Sequence, residues 1–132
     1  MQKIITVIVS TIISTCVCTS SVNAHHAVNA QFDTDTVLFI EGQLVKAELI
    51  NPHTYIHMDV TDENGTVTRW SFEWAARGVI MKAGIPAREL FQIGKTYKVK
   101  MRPSRNPEDH TGLLSQLTLP DGRTIGFAAP PN

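Results

Sequence analysis

Thr54-Tyr55-Ile56-His57-Met58-Asp59-Val60-Thr61-Asp62-Glu63-Asn64-Gly65-Thr66-Val67-Thr68-Arg69-Trp70-Ser71-Phe72-Glu73-Trp74 is the stretch on which the fold turns. Thr54, Ile56, Met58 and Val60 alternate with His53, Tyr55, His57 and Asp59, and Trp70, Phe72 and Trp74 alternate with Arg69, Ser71 and Glu73. That alternation is the period of a half-buried strand, so the stretch reads as two strands joined at Asp62-Glu63-Asn64-Gly65-Thr66. A two-residue Asn-Gly turn pairs Ile56 with Glu73 and His57 with Phe72, which sets polar against apolar on both faces. A three-residue loop with Gly65 in the left-handed conformation shifts the register by one and pairs Met58 with Trp70, Ile56 with Phe72, and Thr54 with Trp74. This second register also sets Asp59 opposite Arg69, His57 opposite Ser71, and Tyr55 opposite Glu73. Burial and charge pairing therefore select the same hairpin.

Upstream, Val37 to Ile50 is an apolar-rich strand interrupted at Glu41-Gly42. A glycine inside so long a strand marks a bulge or bend. Asn51-Pro52 ends the strand, because proline cannot donate to a ladder. Downstream, Ala75 to Ala83 has helical character with Gly84 as its stop, and Pro86 to Phe91 forms a second short turn. Thr96 to Arg102 is a half-buried strand with Tyr97, Val99 and Met101 inward. Leu113 to Leu119 is another, and Pro120-Asp121-Gly122 turns into a last one, Thr124 to Phe127. Met58 and Met101 fall on the apolar faces and, with Met81, read as core filler. This order predicts a mainly β fold, a small OB-like five- to six-stranded β-barrel with one helical insert. An open β-sandwich is the alternative.

The N-terminal segment reads as a leader. Lys3 supplies a positive charge, Ile4 to Ile13 an apolar stretch, and Val22 and Ala24 the small residues a signal peptidase reads. The domain plan is then 1–24 signal peptide, 25–36 an extended N-terminal arm, 37–128 the barrel and 129–132 a loose tail. Export to the periplasm or the medium is the expected localisation. Cys16 and Cys18 both fall in the removed segment, and neither follows a lipobox, so the mature chain has no disulfide and no thiolate. Loss of Lys3 takes the 12 basic residues to 11 against 12 acidic ones, a balance that attracts neither nucleic acid nor an anionic membrane. Beyond the leader no apolar run approaches the ~20 residues of a membrane span.

Cleavage after Ala24 makes His25 the first residue and His26 the second. A free α-amine beside imidazoles is a compact nitrogen donor set that favours Cu(II). The metal candidates are therefore His25, His26 and, folded in from the barrel, His53. The competing reading is a flexible arm with only adventitious metal affinity. His53 and His57 cannot chelate one ion together, because four residues of strand span about 13 Å. Asn51, Tyr55, His57 and Glu73 complete a polar face, on which Glu73 is placed to orient an imidazole or to form an ordinary cross-strand pair. His53 otherwise bonds a neighbouring carbonyl, and His110 reads as solvated. Catalysis finds little support: there is no Gly-x-Ser-x-Gly elbow, phosphate-binding glycine loop or His-Glu-x-x-His. Ser71, His57 and Glu73 are the residue types of a triad, yet Ser71 is mid-strand.

His25-His26, Phe32-Asp33, Glu41-Gly42, Asn51-Pro52-His53, Asp62-Glu63-Asn64-Gly65, Trp70-Ser71-Phe72-Glu73 and Leu119-Pro120-Asp121-Gly122-Arg123 together resemble a family of small exported bacterial proteins, a domain of unknown function. The resemblance covers nearly all of the mature chain. The family pattern reads His-His-Ser, Thr-Asn-Pro-His, Trp-x-Phe-Glu followed by Gly-Gly, and Leu-Pro-Asp-Gly. This chain departs with His-His-Ala, Ile-Asn-Pro-His and Glu-Trp-Ala-Ala. The resemblance implies a fold and a compartment, and no activity. The expected function is a periplasmic, non-enzymatic binding module holding a divalent metal such as copper. The alternative is an interaction domain that presents its aromatic-lined sheet to an envelope partner without metal.

Overall fold

The computed structural model describes residues 28–127. Its central hairpin, β2 (Thr54–Thr61) and β3 (Val67–Trp74), has the three-residue loop, with Thr54 opposite Trp74, Ile56 opposite Phe72, Met58 opposite Trp70 and Asp59 opposite Arg69. Asp62 Oδ1 accepts hydrogen bonds from the Asn64 and Thr66 amides, and the Gly65 amide donates to the Asp62 carbonyl. Gly65 has φ +83°, and a Cβ there would meet no other atom within 4 Å. A side chain at this position would thus carry backbone strain and no clash. Gly65→Val is expected to lower stability by about 1 kcal/mol or more, read from thermal melts. A neutral result would show that the loop relaxes into another turn.

β1 (Leu38–Glu48) pairs with β2 on one side and with β4 (Thr96–Pro103) on the other. Its bulge lies at Val45, where the register shifts between Leu44 and Lys46, rather than at Gly42. Gly42 has a different cause. A Cβ there would sit 2.7 Å from the Asp59 carbonyl oxygen and 3.0 Å from Val60 Cγ2, so the glycine permits two backbones to approach closely.

Two short helices, α1 (Arg77–Met81) and α2 (Ala87–Leu90), fill the connection between β3 and β4, each shorter than the sequence suggests. They bury Ile80 and Leu90. β5 (Thr111–Thr118) pairs antiparallel with β4 and parallel with β3 through Ser71, Phe72 and Glu73 opposite Thr111, Gly112 and Leu113. That last contact closes the ring β1-β2-β3-β5-β4, the strand arrangement of an OB-like barrel, and excludes the open sandwich. β6 (Thr124–Gly126) adds an extra strand against β5.

The core gathers Leu44, Ile56, Met58, Phe72, Trp74, Tyr97, Val99, Met101, Leu114 and Leu117 with the two helical residues, and Met81 packs against it. Tyr97 is buried with its hydroxyl satisfied, donating to the Leu90 carbonyl at 3.0 Å and accepting from the Gln92 amide at 2.8 Å. Burial raises its pKa. Phe72 and Trp74 point inward and are buried, and the partly buried Trp70 stacks on Phe72 at 5.9 Å. In the N-terminal arm, residues 28–31 are helical rather than extended, and Phe32 is buried and bridged to Ser104. His25, His26, residues 1–24, where a leader is expected, and residues 128–132, which hold the expected tail, lie outside the described residues.

Candidate functional site: a polar face on β1, β2 and β3

Inward placement of Ile56, Met58 and Phe72 forces Tyr55, His57, Ser71 and Glu73 to the outer face of the barrel. The Val45 bulge then brings β1 into step, with Lys46 opposite His57 and Glu48 opposite Tyr55. Two imidazoles result, each with its own carboxylate.

His57 is held at both ring nitrogens, Nδ1 2.7 Å from Ser71 Oγ and Nε2 2.9 Å from Glu48 Oε2. Lys46 pairs with the other oxygen of Glu48. These partners, the lysine first and then the imidazole, hold the Glu48 carboxyl below the ordinary carboxylate range. His57 accordingly offers no free nitrogen for a metal.

His53 stands immediately before β2, just after the exposed Asn51 and a cis Asn51-Pro52 peptide. Its Nδ1 lies 2.5 Å from Glu73 Oε1. Glu73 Oε2 in turn accepts a long hydrogen bond from the Tyr55 hydroxyl at 3.4 Å. Burial, and then the Glu73 charge, raises the Tyr55 pKa. The His53 side chain is 47% exposed, that of Glu73 only 16%. A nearly buried carboxylate therefore fixes one nitrogen of a half-exposed ring, while Nε2 has no partner among the described residues. This is the arrangement by which carboxylates orient metal-ligating histidines.

The sequence register sets Glu73 opposite Tyr55 and diagonal to both His53 and His57; the structure gives it to His53 and gives His57 to Glu48. Glu48 was missed, and nothing local in the sequence signals it, because its position depends on a bulge. The neighbouring-carbonyl alternative for His53 gives way to a carboxylate. His110 is exposed as expected, with its ring tilted against Trp70 at 5.3 Å. No group of three or more His, Cys, Asp or Glu residues that could hold a metal occurs among the described residues. The line Ser71, His57, Glu48 has a triad's residue types, with Glu48 in the place expected of Glu73. The Ser71 amide is bonded to the His110 carbonyl at 2.9 Å, so it is not free to serve as an oxyanion donor.

A family model described as a family of unknown function, DUF6152, matches residues 13–114. No curated protein and no solved structure gives a match.

Proposed function

Starting from a chain that belongs to the DUF6152 family, for which no function is known, we propose an exported, non-enzymatic binding module that holds one Cu(II) at its processed N-terminus. His25 and His26 are the primary ligands and His53 is the third. The observation that carries this reading is the Glu73 carboxylate fixed on Nδ1 of His53 while the ring remains half exposed. Such a carboxylate sets the tautomer and strengthens the outward nitrogen as a ligand. The leader supports export, and its removal takes Cys16 and Cys18 with it, leaving nitrogen donors as the concentrated set.

The test is titration with Cu(II) in a competing chelator, using protein whose intact mass shows a start at His25. Three variants are compared with it: one extended by a single alanine, His53→Ala, and Glu73→Gln. Glu73→Gln is expected to weaken binding roughly 10- to 100-fold, as loss of a ligand-orienting group does, with the other two at least as damaging. Affinity no better than that of a free His-His peptide, or indifferent to the extension, would overturn the site.

A second reading, an interaction domain for an envelope partner without metal, rests on a different observation. Val37, Leu38 and Phe39 are consecutive and exposed, Phe39 to 74%.

A further inference from the structure

Alternation along β4 buries Tyr97, Val99 and Met101 and turns Lys98, Lys100 and Arg102 outward. Lys98 has a counter-ion in Glu41, 3.1 Å away. Lys100 and Arg102 have no carboxylate partner among the described residues. They face instead a groove of about 340 Å³ with apolar walls at Val37 and Phe127 and Gly126 at its edge, and among the described residues no acidic one lines it.

The groove is built by an irregularity and an added strand. β5 shifts register at Ser115, whose hydroxyl donates to the Lys100 carbonyl at 3.0 Å. β6 lies against β5, with the Phe127 amide donating to the Ser115 carbonyl at 3.2 Å. Within this setting the Arg102 Nε is buried without a hydrogen-bond acceptor among the described residues. A buried charged donor is costly until an acceptor arrives, and a guanidinium fork suits a carboxylate or phosphate. Lys100 Nζ, 5.9 Å from the Phe39 ring centroid, adds a second positive charge beside apolar surface.

We propose that this groove is a binding site for a small organic anion, its carboxylate or phosphate on Arg102 and Lys100 and its apolar part against Val37 and Phe127. The site is independent of the copper reading. Titration of the processed protein with benzoate, phenyl phosphate, inorganic phosphate and neutral benzamide, followed by amide NMR shifts, tests it. Saturable binding of benzoate or phenyl phosphate is expected, with shifts centred on Ser115 and Gly126. Whichever of the two binds more tightly identifies the headgroup, and benzamide should not bind.

Arg102→Leu should weaken binding about tenfold or more. Gly126→Ala should also weaken it, filling groove space without disturbing the strand, because a Cβ there meets nothing nearer than 3.6 Å. Absence of saturation by either organic anion below about 10 mM would overturn the proposal, as would affinities unchanged in both variants. Inorganic phosphate binding as tightly as both organic anions would overturn the apolar half of the recognition.

Discussion

Phe72→Ala is expected to lower the stability of the barrel by about 3–5 kcal/mol, the usual range for removing a buried aromatic ring. Phe72 is fully buried, stacked with Trp70, opposite Ile56 on β2 and opposite Gly112 on β5. It therefore stands where the ring of strands closes, and removing its ring leaves a cavity among the core side chains. A domain of this size has only about 5–15 kcal/mol in total, so the loss is a large share of the whole. Denaturant unfolding followed by circular dichroism measures the loss. A change below about 1 kcal/mol would mean that the β3–β5 closure is not packed through this ring.

Gly42→Ala is expected to destabilise by about 2–3 kcal/mol, although it adds one methyl group to a half-exposed strand. The methyl would meet the Asp59 carbonyl oxygen at 2.7 Å, and that oxygen belongs to a paired strand that cannot swing aside. Gly112 is the informative contrast. A Cβ there also finds an atom at 2.7 Å, but it is the Met101 sulfur, part of a flexible side chain, with the nearest backbone oxygen at 3.2 Å. Denaturant titration of both alanine variants should show the Gly42 change as the larger. Equal losses would contradict the distinction between a rigid wall and a yielding one.

The hairpin was legible because its evidence is local: two alternating runs, one Asn-Gly loop, and charge pairs that agree with burial. The same logic placed Glu73 on the face with His53. The partnership of His57 with Glu48 was not legible. It depends on the offset of β1 against β2, which the loop at Asn51-Pro52 does not specify and the Val45 bulge changes by one residue. Gly42 announced an irregularity, but a close approach and a bulge leave the same glycine in the sequence. Barrel closure rests on three parallel pairs about forty residues apart, between Ser71–Glu73 and Thr111–Leu113, and no short-range pattern encodes them. The Arg102 groove likewise requires knowing where β6 lands.

The two-part covering of β5 bears on how this molecule avoids its own kind. One edge of β5 is taken by β4, while the other is shared, with β3 on residues 111–113 and β6 on residues 116–118. Among the described strands, the outward hydrogen-bonding rims that remain are short: the free side of three-residue β6, the start of β3, where Arg69 is held by Asp59, and the two halves of β1 that pair on one side only, residues 38–42 with β4 and residues 45–48 with β2. Rims so short, one of them beside a fixed charge, make poor templates for strand addition by a second copy. The folded barrel should consequently resist templated fibre growth, and that liability should return in any variant that detaches β6 and bares the lower half of β5.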